Sequence, residues 1–276
     1  WYHNWDISLT EKEDDTVTIK GPFRSRRVFQ PDFSGGYFSQ AGDYGQLVEI
    51  ITGGYELTES NGVRYVFSAE GLLSYVVDTN GNRITAGYTN GLLSSLNHSS
   101  GQWLQLAYNS AGRITSIKES SGLQIIYSYD TGNEHLMTAE LSDGSTISYA
   151  YNTNSSPTLE HSLAHIEYPG GTHQFFTYDT QGRLGATYKG GYAEPLTFTY
   201  DSAGTIAVAD AYSSTAQYFL DHMGLVGKIV NPLGHATYFG HDRDYNLTEL
   251  TDTTGNLYTY SYDQQGNLTQ WTDPLG

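Results

Sequence analysis

The sequence predicts an all-β protein: one continuous antiparallel sheet of repeated hairpins of about 21 residues each, coiled by the right-handed twist of its strands. Three observations carry this. Residues 258–262, YTYSY, alternate with period two, so Tyr258, Tyr260 and Tyr262 share one face of a strand. Asp263 and Gly266 then supply turn chemistry, a carboxylate that accepts amides two residues on and a residue free to take positive φ. The same unit recurs along most of the chain.

Residues 1–60 lack that rhythm and read as an irregular β cap, with short alternating runs ISLT, TVTIK and RRVF and the Gly-Gly signals of PDFSGGYF and ITGGYEL. Arg24, Arg26 and Arg27 form its basic cluster, expected to sit on a solvated strand face opposite Glu11, Glu13, Asp14 or Asp15. Residues 61–276 are the repeat array, with an insert at about 152–165.

From Phe67 an aromatic slot returns at Tyr88, Tyr108, Tyr129, Tyr151, Tyr178, Tyr200, Leu220, His241 and Tyr262, at intervals of 21, 20, 21, 22, 27, 22, 20, 21 and 21. The residue after the slot is Asn109, Asp130, Asn152, Asp179, Asp201, Asp221, Asp242 or Asp263. Three or four residues beyond the slot stand Gly71, Gly91, Gly112, Gly132, Gly182, Gly204, Gly224 and Gly266. A second turn bisects each unit, as at Asn80-Gly81, Ser121-Gly122 and Thr254-Gly255, so each unit is a hairpin of two strands. Before the slot the apolar phase repeats: Leu104, Leu106, Tyr108; Ile125, Tyr127, Tyr129; Leu196, Phe198, Tyr200. After it, Ile114 and Ile117, like Leu247 and Leu250, differ by three and face opposite sides unless a bulge intervenes. A lone hairpin cannot offset its ordering entropy, so the units must stack on their neighbours.

Composition narrows function. Asp and Glu total 30 against 13 Lys and Arg, a net charge of -17 that repels nucleic acid and anionic headgroups. With no cysteine there is neither a disulfide nor a thiolate metal site, and the apolar runs are too short for a membrane helix. The chain starts at Trp1 and stops at Gly276, just after Asp273 and Pro274, and is expected to be a fragment of a longer protein with an open last strand.

YDQQGNLTQWTDPLG at the end, YDTQGRL at 178–184, YNSAGRITSI at 108–117 and VNPLGHATYFGHD at 230–242 resemble the Rhs or YD-repeat family, over about residues 60–276. The opening WYHNWDISLT, RRVFQPD and AGDYGQL is similar to the start of an Rhs shell. The resemblance implies a spiral, shell-like sheet, here an open fragment of a larger β-cage, that encloses a C-terminal toxin domain of the same polypeptide in bacterial polymorphic toxins and insecticidal toxin complexes; related teneurins use the shell in adhesion. It implies a protein made in the bacterial cytoplasm and secreted or delivered outward, by type VI secretion or another route, with secretion-apparatus spike or adaptor proteins as further partners. Leu220 and His241 in the slot, Tyr245 in place of glycine, and the insert depart from the pattern. The family's self-cleavage motif begins like Asp273-Pro274-Leu275-Gly276, but Asn231-Pro232-Leu233-Gly234 is the same turn inside the array, so no protease role is assigned.

Chemistry-bearing constellations are weak. Glu160, His161, His165 and His173 would place two imidazoles on one face of a helix, without the carboxylate order of a zinc protease, and read as a solvent loop. DTNGN at 78–82 starts like a calcium loop, but Arg83 stands where glycine is needed. No cofactor, metal or catalytic residue is expected. The residues expected to define the repeat structurally are Tyr88, Tyr108, Asn109, Gly112, Tyr129, Asp130, Tyr151, Tyr178, Asp179, Gly182, Tyr200, Asp201, Gly204, Asp221, Gly224, Asp242, Tyr262, Asp263 and Gly266. Trp103 and Trp271 are candidate stacking residues for a second reading, a surface module that binds glycans or a receptor. A glycoside hydrolase is the third, and would need two converging carboxylates.

Overall fold

The computed structural model describes residues 3–22, 25–32, 34–51, 53–153, 156–264 and 266–276; Trp1 and Arg24 lie outside them. The chain is all-β, with 53% of residues in strands and 1% helical. Strands β1 (Ser8–Glu11), β2 (Val17–Lys20), β3 (Arg26–Pro31) and β4 (Tyr37–Phe38) form a small antiparallel sheet in chain order. A long antiparallel sheet of 22 strands follows, opening with Gln46–Glu49 and ending with Leu268–Thr272. Two units divide the chain: the first is Trp1–Leu123 with Asp242–Asn246 and Ser261–Gln270, the second Gln124–His241 with Leu247–Tyr260 and Trp271–Gly276.

The first unit holds the dense core. Leu9, Val17, Ile19 and Phe29 of the small sheet meet Leu47, Tyr55, Leu57, Phe67 and Leu73 of the long one, all nearly or fully buried. Gly71 makes the junction possible. Its φ of 77° closes a turn, its carbonyl accepts the Leu9 amide at 2.7 Å, and a Cβ there would collide with the Leu9 carbonyl.

Arg27 ties the sheets electrostatically, and not as the sequence suggested. Its partners are Asp43 (Nε to Oδ2, 2.7 Å) and Glu59 (Nη1 to Oε1, 2.5 Å) rather than Glu11, Glu13, Asp14 or Asp15. All three side chains are less than 30% exposed, at 24%, 14% and 28%. The acidic run next to β1 is close in sequence, whereas Asp43 and Glu59 are brought in by folding. Burial opposes the charge on Arg27, but the hydrogen bonds it donates to Asp43 and Glu59 outweigh it and raise its pKa.

A second long-range contact in this unit explains one departure from the repeat. Tyr245 takes φ +64° where most turns have glycine, and a Cβ on Gly42 would strike its ring. Beside it Asn246 Nδ2 donates to the Tyr44 hydroxyl at 2.6 Å, and the Gly42 amide donates to Asp244 Oδ1 at 3.3 Å. The tyrosine at 245 is a contact residue rather than a defect in the sheet.

The second unit shows the hairpin repeat without a covering layer. Of the 16 nearly fully buried hydrophobic residues among those described, only Leu136, Ala139 and Ala186 belong to it. Strands Thr172–Tyr178 and Leu184–Lys189 illustrate the unit. Thr177 pairs with Ala186 but Tyr178 with Leu184, so one extra residue bulges on the returning strand. Equivalent shifts set Tyr108 opposite Ile114 and His241 opposite Leu247. Bulging is the outcome of the three-residue spacing noted in the sequence. Where the bulged residue is Ser94 or Thr248, its hydroxyl donates back to the carbonyl just before the slot, and the Thr269 hydroxyl donates likewise to the Ser261 carbonyl.

The slot tyrosine then reaches the preceding unit. Tyr108 donates to the Leu93 carbonyl (2.7 Å), Tyr151 to Leu136 (3.1 Å), Tyr178 to Leu163 (2.8 Å) and Tyr200 to Leu184 (3.0 Å). Each acceptor is the leucine that the previous slot tyrosine opposes across its bulge, as Leu184 opposes Tyr178.

Two outcomes follow from these contacts. Tyr178→Phe, which removes one half-buried hydroxyl and orphans a carbonyl, should lower the unfolding free energy by about 1–2 kcal/mol; urea denaturation reads it, and a midpoint unchanged from wild type would show that the bond is incidental. Arg27→Met should cost about 2–3 kcal/mol, because two partly buried carboxylates lose their counter-charge; equal stability of the variant would remove Arg27 as a tie between the sheets.

Candidate functional site

The repeated turn is the most regular chemical device in the chain. At Asp179 the Oδ1 atom accepts the amides of Gln181 and Arg183, both at 2.9 Å. The Gly182 amide closes back on the Asp179 carbonyl at 3.0 Å with φ 80°, a three-residue loop ending in a left-handed glycine. Asn109, Asp201, Asp221 and Asp242 accept the same pair of amides. Asp263 accepts the Asn267 amide at 2.8 Å. Gly112, Gly204, Gly224 and Gly266 all have positive φ. At Asp130 the loop is one residue longer, and Asn133 rather than Gly132 is the left-handed residue.

The sequence did not reveal that in four units the second turn is capped in the same way. Asp78, Asp210, Asn231 and Asp252 cap it with the same two amides. The available signal was an Asp or Asn three residues before the turn glycine at Gly81, Gly234 and Gly255; after Asp210 the left-handed residue is Ser213. The DTNGN stretch is such a loop, capped by Asp78 and its Asn82 partner at 2.8 Å.

These carboxyls are held below the usual range: side-chain hydrogen bonds from Asn82 at Asp78, from Ser145 at Asp143 and from Thr254 at Asp252 lead, and backbone amides from Arg183 and Thr205 lead at Asp179 and Asp201. All 17 aspartates lie outside the strands. Aspartate charge therefore belongs to turns, not to a sheet face. The slot tyrosines are half-buried, and burial pushes Tyr108 and Tyr151 up to about 12. Tyr129 and Tyr262 end their strands in the same slot, and Tyr88 stands one residue before the end of its own.

The histidines of the insert do not share a helical face. His161 lies in a turn and His165 in strand Leu163–Tyr168, and they join separate groups, Glu134 with His135 and His161, and His165 with Glu167 and His173. Within each group the candidate ligand atoms lie within 4.8 Å of one another, so either has the donor set for a divalent metal. In the second, His173 Nδ1 is buried without a hydrogen-bond partner.

The turn, the slot and the period find their counterpart in known families. Residues 70–188 match the teneurin YD-shell family model, and residues 241–276 match the RHS repeat. The chain belongs to the Rhs/YD-repeat family. Among solved structures it is similar to TcdB2-TccC3-TEV, with 11% identity over 97% of this chain and 16% of that one, and a TM-score of 0.53. TcdB2-TccC3-Cdc42 shares 14% identity over 94% and 18% of the two chains, with a TM-score of 0.51. TcdB2-TccC3 without its hypervariable C-terminal region shares 14% over 94% and 19%, at 0.53. At these identities the likeness is one of fold, and this chain spans less than a fifth of those chains. No curated protein matches it in sequence.

In this Rhs/YD-repeat chain the family matches point to a structural shell role. A cleft in the first unit is lined by Arg26, Arg27, Gln40, Asp43, Tyr44 and Glu59. Its carboxylates, Asp43 and Glu59, are both committed to Arg27, which suits an ion cluster better than acid–base work. On the face opposite the slot tyrosines, His165, Phe175 and Tyr188 form a ladder with centroids 5.3 Å apart at 25° and 16°. Those ring faces are covered by each other and are not free to stack on a sugar. Trp103 is half-buried, and Trp271 is 60% exposed. Among the described residues no helix is long and apolar enough to cross a membrane.

The turn carboxyls fix a pH dependence. Their folded pKa values lie below the unfolded ones, so their contribution to stability is complete above the unfolded value near 4 and is lost as pH falls through the depressed folded values. Thermal melts should be flat from about pH 7 to 5 and should fall steeply below about pH 4. Asp252→Asn, which keeps one acceptor oxygen, should flatten part of that fall; an acid profile identical to wild type would dissociate the turns from it.

Proposed function

We propose that the chain is a non-catalytic wall segment of an Rhs shell that encloses a C-terminal toxin domain of the same polypeptide and keeps it sequestered until secretion or delivery out of a bacterial cell. The observation that carries this reading is the uncovered slot face of the second unit. Tyr200, Ile206, Tyr218 and Ile229 run in one cross-strand row, and Phe239, Leu250 and Tyr258 in another. None of these side chains is fully buried. An apolar face of this extent gains by meeting a second surface, and an enclosed domain or the remaining wall of a shell supplies one. The acidic balance adds nothing to the choice of cargo, because the aspartates sit in turns.

The test uses the natural polypeptide that carries this segment. Limited proteolysis should leave a C-terminal domain intact for as long as the shell is folded and expose it once urea opens the sheet. Cleavage of that domain at the same rate with the shell folded or unfolded would end the encapsulation reading. A glycan- or receptor-binding module is the second reading, favoured by exposed Trp271; saturable binding on a glycan array that Trp271→Ala abolishes would support it.

A further inference from the structure

We propose that Asp130, Glu134, His135 and His161 build a transition-metal site that staples two successive repeat units together. It stands on the geometry of two slot turns and is independent of what the shell encloses. The Asp130 loop is the one lengthened by a residue, and the extra length brings Glu134 and His135 to its end. Asp130 divides its oxygens: Oδ1 accepts the Glu134 amide at 2.8 Å, and Oδ2 lies 2.6 Å from His135 Nδ1. With Nδ1–H donated to the carboxylate, His135 presents the Nε2 lone pair. Its side chain is only 12% exposed, and its ring lies 4.6 Å from that of the next slot residue, Tyr151.

The next slot turn supplies the second imidazole. It carries the insert, and His161 occupies its left-handed position at φ 70°, its amide donating to the Asn152 carbonyl at 3.1 Å as turn glycines do elsewhere. A histidine is strained where glycine costs nothing. What the strain achieves is a face-to-face approach: the two rings are 4.9 Å apart at 27°, and His161 Nδ1 is 2.8 Å from His135 Nε2. Without a metal the two nitrogens share one proton. With His161 protonated at Nε2 instead, two lone pairs and the Glu134 carboxylate converge.

The chemistry selects the ion. Two imidazoles with one carboxylate suit zinc, nickel or cobalt over calcium or magnesium, which prefer all-oxygen sets. At metal–nitrogen bonds of about 2.0–2.1 Å a 2.8 Å separation subtends about 86°, which fits an octahedral site completed by water; a tetrahedral one needs about 3.3 Å. Asp130 is the positioning residue, fixing the tautomer and ring orientation of His135.

The experiment is a calorimetric titration of the chelator-treated chain with ZnCl2. One site of micromolar affinity or better is expected. His161→Asn, which retains a residue tolerant of positive φ, should weaken it at least tenfold, as should Glu134→Gln. Asp130→Asn should keep the turn, since Asn109 and Asn231 cap equivalent loops, yet weaken binding about tenfold; circular dichroism checks that each variant is folded. No saturable zinc binding, or affinity unchanged in His161→Asn and Asp130→Asn, overturns the proposal. Binding lost only in His173→Asn also overturns it, by moving the site to the His165 group.

Discussion

The hydrogen bond from a slot tyrosine to the leucine carbonyl of the preceding unit is the contact on which the repeat depends. It requires a bulge, because an unbroken ladder would engage every carbonyl of the returning strand. It also requires a fixed length of chain, since the tyrosine must arrive 15 or 16 residues after its acceptor, as Tyr178 does for Leu163 and Tyr200 for Leu184. Strand, turn and strand lengths are thus coupled, and the period near 21 is their sum. Each tyrosine both opposes a leucine and bonds to the one before it, so Tyr151, Leu163, Tyr178, Leu184 and Tyr200 form a continuous relay through the sheet. Leu220 has no hydroxyl to give. His241 instead sets its Nδ1 3.5 Å from Asp221 Oδ2, without a hydrogen bond.

Much of this was legible in the sequence because turns and alternation are local. An Asp that caps two amides and a glycine at positive φ need only five residues, so the turns at Asp179 and Asp201 could be read directly. What the tyrosine hydroxyl bonds to could not, because the acceptor is a backbone atom and leaves no side-chain signature. The bulge left a half-signal in the three-residue spacing of Leu247 and Leu250, resolved only by the register. Arg27 was misassigned for the same reason: sequence proximity favoured Glu11 to Asp15, while its true partners are set by how the two sheets meet. Gly132 was read as the turn glycine, yet the longer loop shifted that task to Asn133.

Two departures from the turn glycine, Tyr245 and His161, fall where the chain makes a contact that glycine could not. Tyr245 and His161 both hold the left-handed conformation at a cost that glycine avoids. In each case the side chain touches a distant segment: Tyr245 lies against Gly42, and His161 stacks on His135. A repeat with identical turns would have no such marks, and its register could slip by one unit with little penalty. Irregular turns break that degeneracy, since only one alignment brings Tyr245 to Gly42.

The distribution of burial then separates two kinds of stability. In the first unit a small sheet covers the long one, and side chains such as Phe29, Phe67 and Leu73 are fully enclosed. In the second, stability rests on ladder bonds, capped turns and the tyrosine relay, with apolar rows only half covered. Placing the aspartates in turns keeps charge off those rows at no expense to the sheet, because a turn carboxylate is already satisfied by two amides. A wall made this way can be extended by adding hairpins without adding core. The half-covered face remains able to accept whatever surface lies against it, which is what the proposed encapsulation requires of it.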